Sequence, residues 1–404
     1  MSFQLKRLPV SYRILILVMV ALASCKPVNN PLDLTRFLVD SIQSQSIPDT
    51  RVDIFSVTPS SENGRIILRG KTTNPHAVSQ LENQLTKQKI AFTDSILRLP
   101  DPALGDKTWG LVTLSVANLR YNPAQSAEMA TQALMGTPVR VLQEDNGYYL
   151  VQTPDRYIAW TESAGVALKT EAGMEAWRKG GRTIFLGDFG LVRESSSDNA
   201  LPVSDIVLGG ILSIDSQGMT SSNFLSVVLP DGRKGFINKG QCRDFHEWAG
   251  SVTPDTLAMV KVAETMMGRP YLWGGTSVKA FDCSGFTKSI YLTAGMILAR
   301  DASQQVHQGD PVDPSAIWQD LKCGDLLFFG RKANGPSNER VSHVGMYIGN
   351  SEFIHCSGLV KINSLDSTRM NYKPYYRTNL LHVKRMIGAK KSLPVTFLSN
   401  TWYF

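Results

Sequence analysis

Cys283 stands where a cysteine can act as a nucleophile. The run Phe281-Asp282-Cys283-Ser284-Gly285-Phe286 follows a turn-rich stretch, Gly268-Arg269-Pro270-Tyr271-Leu272-Trp273-Gly274-Gly275. After Cys283, apolar residues return at Phe286, Ile290, Tyr291 and Ala294, the spacing of an amphipathic helix, and Gly295 supplies a stop. The spacing puts Cys283 at a helix N-terminus, where unpaired N–H groups and the macrodipole favour a thiolate. With a cation nearby, such a cysteine falls from about 8.5 toward 3.5–7.5 in pKa.

Six histidines could partner it: His76, His246, His307, His343, His355 and His382. Val341 to Ile348 alternates, so His343, Gly345 and Tyr347 share one strand face and Val344, Met346 and Ile348 the other. Gly349-Asn350-Ser351 reads as a turn and Glu352 to Cys356 as the returning strand. A hairpin centred on Gly349 pairs 347 with 351, 345 with 353 and 343 with 355. His343 then stands opposite His355, with Cβ atoms about 4.5–5.5 Å apart. Two imidazoles on one face supply a base and the group that orients it. They could also form half a metal site, but no Asp, Glu or Cys lies at close ligand spacing on that face. Cys356 has the opposite parity and should point into the core. Cys323 and Cys242 read as structural.

The elements that must position this constellation lie between about Pro254 and Ile387, with a helix from Thr256 to Met267 ahead of the cysteine loop. Upstream, Trp109 to Gly173 breaks into short strands: Gly110–Leu119, Ala133–Gly136, Pro138–Gln143, Tyr148–Gln152 and Tyr157–Trp160. Thr183–Phe245 echoes that pattern, which predicts two small all-β domains in tandem. Residues 32–99 read as helix, strand, strand, helix, strand, a small α+β domain whose role the sequence does not state. The predicted boundaries are 32–105, 106–176, 177–250 and 251–390, with a C-terminal tail at 391–404.

Composition narrows the class. The 404 residues carry a net charge of +7, with 43% hydrophobic and 19% charged residues, which excludes a disordered, collagenous or coiled-coil protein. Five cysteines without CxxC spacing make neither a disulfide scaffold nor a zinc site, so no metal or cofactor is expected. No Lys/Arg run interleaves with aromatics, so no nucleic-acid partner is expected. At the N-terminus, Lys6, Arg7 and Arg13 flank an apolar run, Ile14 to Leu22, too short to span a bilayer and fit for an export signal. It ends in Leu22-Ala23-Ser24-Cys25, which resembles a bacterial lipobox. That resemblance implies a signal peptide over 1–24, acylated Cys25, a tether over 25–31, and a cell-envelope address, lipid-anchored on the periplasmic side of the outer membrane.

Taken in order, Tyr271-Leu272-Trp273-Gly274-Gly275, Asp282-Cys283-Ser284-Gly285-Phe286, Gly324-Asp325-Leu326, Ser342-His343-Val344-Gly345-Met346-Tyr347 and Phe353-Ile354-His355 resemble the successive signatures of NlpC-type cell-wall peptidases. The tandem β domains look like bacterial SH3-like domains, and the whole resembles the subgroup that cleaves γ-D-glutamyl-L-diamino acid bonds in peptidoglycan stem peptides with a free N-terminal L-Ala. The resemblance implies an α+β multidomain protein, with a papain-like α+β catalytic domain after two SH3-like barrels. It implies Cys283 as nucleophile, His343 as base, His355 as the third polar residue and Tyr271 as an oxyanion donor. It places Asp282, Ser284, Ser303, Glu128, Tyr157 and Trp273 at the substrate, with Asp282 expected to meet the ammonium group or to cap the helix. Two other readings stay open: a catalytically silent wall-binding lipoprotein, and an amidase or acyltransferase of the same fold.

Overall fold

The computed structural model describes residues 30–404, except 219, 220, 222, 314–319, 336, 337 and 393. The leader and Cys25 lie outside the described residues. The chain divides into two compact units, 1–99 and 100–404. No described helix is long and apolar enough to cross a membrane.

The first unit is built from helix α1 (Pro31–Ser46), strands β1 (Phe55–Glu62) and β2 (Arg65–Thr72), helix α2 (Pro75–Lys87) and strand β3 (Phe92–Arg98). Both helices begin with asparagine caps followed by proline. Asn30 accepts from the Leu32 N–H and Asn74 from the Ala77 N–H, and each proline fills a position whose N–H has no intrahelical acceptor. Asn63 and Gly64, at φ 49° and 74°, form the two-residue turn that pairs β1 antiparallel with β2. The α2 crossover returns β3 parallel to β2. Val39, Phe55, Leu68, Val78, Leu81 and Ile96 form its core.

In the second unit, the first barrel holds β4 (Trp109–Val112), β5 (Val116–Arg120), β6 (Met129–Leu134), β7 (Pro138–Asp145), β8 (Tyr148–Gln152), β9 (Ile158–Glu162) and β10 (Val166–Lys169). After helix α3 (Glu171–Lys179) come β11 (Arg182–Phe185), β12 (Phe189–Arg193), β13 (Pro202–Val207), β14 (Ile211–Ile214), β15 (Phe224–Val228), β16 (Lys234–Asn238) and β17 (Cys242–Asp244). The strand orders are β10-β4-β7-β8-β9-β5-β6 and, read from its other edge, β17-β11-β14-β15-β16-β12-β13. Each strand of the second sheet is the seventh after its counterpart, so the two sheets share one topology. Two local expectations need correction. Gly110–Leu119 is two strands: β4 ends at Val112, opposite Val166 of β10, and β5 begins at Val116, which pairs instead with Leu134 of β6. The strand expected at Ala133–Gly136 ends at Leu134, and Gly136 turns at φ 76°.

The remainder begins with helices α4 (Phe245–Ser251) and α5 (Thr256–Thr265), a two-stranded ribbon β18 (Thr276–Ser277) and β19 (Ala280–Phe281), and helix α6 (Cys283–Thr293). Then follow β20 (Met296–Ile297), α7 (Ala302–Gln305), β21 (Asp310–Val312), β22 (Leu326–Arg331), β23 (Arg340–Gly349), β24 (Glu352–Ser357), β25 (Leu359–Ser364), α8 (Pro374–Thr378), β26 (Leu380–Arg385) and β27 (Val395–Thr396). The main sheet runs β21-β26-β22-β23-β24-β25. Alternation decides its faces. Phe328, Val344, Met346, Ile354 and Cys356 pack with Phe286, Ile290 and Tyr291 of α6. Leu327, Phe329, Tyr347 and Phe353 pack with Tyr376 of α8. Near the C-terminus β27 pairs with β20, and Phe397 and Tyr403 join Phe245 and Trp248 in a buried cluster.

Candidate active site

Two glycine-rich stretches interlock to hold the cysteine. Leu272 donates its N–H to the Phe281 carbonyl at 2.8 Å, and Asp282 donates to Gly275 at 3.0 Å. Gly285 lies so close that an added Cβ would stand 2.0 Å from the Gly275 carbonyl oxygen, so no larger residue fits. Gly274 turns at φ 81°, in the left-handed region that glycine occupies at no steric cost. Cys283 is thereby fixed at the first position of α6, and Asp282 caps the helix by accepting from the Gly285 N–H at 2.7 Å.

Asp282 does more than cap: its carboxylate also holds a buried arginine. Its Oδ1 also accepts from Arg300 Nη1 and Ser284 Oγ, both at 3.2 Å. Its Oδ2 accepts from Arg300 Nη2 at 2.5 Å and the Gly274 N–H at 3.1 Å. Both side chains are buried, at 1% and 9% exposure, so the guanidinium neutralises the carboxylate out of reach of solvent. Arg300 also donates to Thr131 of β6 at 2.8 Å, tying the cysteine helix to the first barrel. Ser284 belongs to the same network, accepting from Arg300 Nη1 at 3.1 Å.

The hairpin register differs from the sequence expectation. Met346 pairs with Ile354, Tyr347 with Phe353 and Gly349 with Glu352, so the loop is Asn350-Ser351. Both loop residues have positive φ, 51° and 63°, as a two-residue hairpin demands, and a bulge at Ile348 absorbs one residue. His355 consequently faces Gly345, whose missing side chain leaves room: a Cβ there would stand 3.0 Å from that of His355. The slip is two residues, which preserves parity. The imidazoles remain on one face as diagonal neighbours, with His343 Nε2 and His355 Nδ1 2.7 Å apart. Tyr376 and Phe353 rings enclose His355.

The Cys283 sulfur sits against β23 at the residue after His343. The Val344 and Ser284 backbone N–H groups and the Arg300 charge favour its thiolate, but burial and the Asp282 charge outweigh them and push the thiol up to about 12. Burial, then the neighbouring His355 and the Lys361 charge, holds His343 down to about 3. Burial therefore opposes the helix terminus here and favours a neutral thiol beside a neutral imidazole. Because an acid limb in kcat/KM reports protonation of the free enzyme's base, hydrolysis should persist well below pH 6.5. A pH–rate profile whose acid limb is centred near 6.5 would contradict this enclosed imidazole. Tyr271 keeps its proton, because burial raises its phenol. Cys356 is fully buried with its thiol on the Phe281 carbonyl, in agreement with its parity.

The first barrel supplies one wall. Glu128 accepts from the indole N–H of Trp273 at 2.8 Å, and the Tyr157 hydroxyl lies 3.3 Å from Asp301 Oδ2 and 3.2 Å from the Tyr121 hydroxyl. The Gln132 side chain and carbonyl bind Thr276 at 3.0 Å each, and Lys288 pairs with Asp155. The structure thus brings Glu128, Tyr157 and Trp273 to the domain holding Cys283. Ser303 lies on α7 one residue past Ala302, partly exposed. Sequence reasoning missed Arg300, Asp301, Tyr376 and Asn363, whose Oδ1 lies 2.9 Å from His355 Nε2. Parity on β25 could have flagged Asn363, since 359, 361 and 363 share the face turned toward His355.

A thiol at the head of a buried helix, set beside paired imidazoles on an antiparallel sheet, defines a papain-like cysteine peptidase domain. More narrowly, residues 268–385 match the NlpC/P60 family and residues 119–166 the bacterial dipeptidyl-peptidase SH3 domain, so the chain carries an NlpC/P60 domain beside such a barrel. A dipeptidyl-peptidase 6 of Lysinibacillus sphaericus is 28% identical over 69% of this chain and 98% of its own length. A gamma-D-glutamyl-L-lysine dipeptidyl-peptidase of Bacillus cereus is 32% identical over 42% of this chain and 46% of its own length. The crystal structure of an NlpC/P60 family protein from Bacillus cereus covers 69% of this chain and all of its own, with a TM-score of 0.58 at 23% identity, a likeness of fold.

Proposed function

We propose that this protein is an endopeptidase that hydrolyses the γ-D-glutamyl-L-diamino acid bond of peptidoglycan-derived peptides with a free N-terminal L-Ala. The observation that carries the chemistry is the Cys283 sulfur seated against the Val344 N–H, one residue from a His343 ring bonded to His355. Cys283 attacks the γ-carbonyl carbon as its proton passes to His343 Nδ1, the ring nitrogen not engaged with His355. The carbonyl electrons move onto oxygen, which meets the Cys283 backbone N–H and the Tyr271 hydroxyl. A donor of this kind contributes about 3 kcal/mol. The C–N bond then breaks, the imidazolium gives its proton to the departing amine, and water hydrolyses the thioester.

The relatives' names, dipeptidyl-peptidase 6 and gamma-D-glutamyl-L-lysine dipeptidyl-peptidase, support the substrate class. The barrel wall supports the requirement for a free amine. The barrel contributes the Glu128 carboxylate and the Tyr157 hydroxyl, which lies beside Asp301, while Asp282 and Asp301 both lie against Arg300. An ammonium group would find counter-charge at these carboxylates, whereas an acetylated nitrogen loses the charge and brings bulk. L-Ala-γ-D-Glu-diaminopimelate should be cut to L-Ala-D-Glu, and its N-acetyl form about a hundred-fold more slowly or worse, by mass spectrometry. Equal turnover of both would remove the amine-selecting wall and leave the thiol chemistry standing.

A further inference from the structure

The hydrogen-bond chain from the imidazole pair continues beyond His355 in one forced direction. Asn363 of β25 is buried at 5% exposure, with its Oδ1 2.9 Å from His355 Nε2 and its Nδ2 donating to the Asn371 carbonyl at 2.7 Å. A carbonyl oxygen only accepts, so the amide cannot be reversed: turning it would set two oxygens against each other. The Asn371 carbonyl is itself held. It also accepts the Ser364 N–H at 3.2 Å, and the Asn371 side chain donates to Glu352 Oε1 at 2.9 Å.

Donor and acceptor roles then propagate inward. Asn363 Oδ1 accepts, so His355 Nε2 must carry a proton. In a neutral His355 the Nδ1 is therefore bare and accepts from His343 Nε2–H across 2.7 Å. With its Nε2 proton committed, a neutral His343 has its lone pair at Nδ1. The chain crosses three neighbouring strands obliquely, from His343 on β23 to His355 on β24 to Asn363 on β25, each step landing diagonal to a direct pair. His355 stands directly opposite Lys361, and Asn363 opposite Phe353.

We propose that Asn363, clamped by the Asn371 carbonyl, is a positioning residue that fixes the tautomers of His355 and His343 and so leaves His343 Nδ1 as the base for Cys283. The inference rests on the proposed roles of Cys283 and His343. Reversal of His355 would put a proton on its Nδ1, turn the shared bond around and leave His343 with its proton on Nδ1, unable to accept from the thiol.

Nitrogen NMR of the full-length protein labelled at histidine tests this, with steady-state hydrolysis beside it. The wild type should show neutral His343 and His355 protonated at Nε2. Asn363→Leu, similar in volume but with no acceptor, should shift both toward the Nδ1–H form and lower kcat about 10- to 100-fold, part of the 10²–10⁴ that a general base contributes. KM should stay within about two-fold, because no substrate contact is removed. Asn363→Asp keeps an acceptor for His355 but sets an oxygen against the Asn371 carbonyl, so the Nε2–H tautomers should persist while kcat recovers only in part. A wild-type His355 protonated at Nδ1 overturns the proposal without needing any variant to fold. So does an Asn363→Leu protein with unchanged tautomers, or with shifted tautomers and full kcat. Loss of hydrolysis in Cys283→Ala and His343→Ala alongside an indifferent Asn363→Leu would separate failure of this inference from failure of the proposed reaction.

Discussion

Cys283→Ala should fold and lose all but a trace of hydrolysis. The substitution removes one sulfur atom from a buried site and leaves the Asp282 cap and the Arg300 pair intact. Its thermal transition should therefore stay close to that of the wild type. Loss of the nucleophile should lower kcat by about a million-fold, to whatever the oxyanion donors and substrate binding provide alone. Cys356, the other thiol near the cleft, cannot substitute: it is fully buried, and burial holds its thiol up at about 12. Measurable turnover by Cys283→Ala, with the same products, would remove Cys283 as the nucleophile. Turnover lost together with the thermal transition would make the substitution uninformative about chemistry, so the melting curve is recorded on the same preparation.

Arg300→Leu should be the most destabilising single change near the site. It strands the Asp282 carboxylate in a buried position, and removing one partner of a buried ion pair costs about 3–5 kcal/mol. It also cuts the bond to Thr131, so the head of α6 loses its tie to the barrel. Asp282→Asn should show a smaller loss, because the amide keeps an oxygen for the Gly285 N–H while the guanidinium loses its counter-charge. The double replacement Arg300→Leu with Asp282→Asn should be milder than the sum of the two, since no unpaired charge stays buried. Denaturant unfolding of all three variants checks this. An Arg300→Leu protein as stable as the wild type would mean that the carboxylate finds another cation or water. A rise in KM with unchanged stability in Asp282→Asn would place Asp282 at the substrate.

Local signals were legible where neighbours in the chain decide the outcome. The period of Phe286, Ile290 and Tyr291 located the cysteine helix, and strand parity placed His343 and His355 on one face and Cys356 on the other. The register was not legible, because it hangs on two non-glycine residues, Asn350 and Ser351, adopting positive φ. Nor was the fate of Asp282. Its neutralising partner lies 18 residues further on, and a string of residues does not state which charges become neighbours. The burial that opposes ionisation of Cys283 was illegible for a related reason: the helix terminus is a local feature, whereas the sheet packed over it comes from far along the chain. The pairing of two barrels was readable as a repeat, but their shared strand order needed coordinates.

The Trp273–Glu128 bond joins a residue ten positions before the nucleophile to one carried by a different domain. If Glu128 admits the substrate as proposed, the nucleophile and the selecting group sit in separate modules, and the stretch between β5 and β6 becomes a place where substrate choice can change while Cys283, His343 and His355 stay as they are.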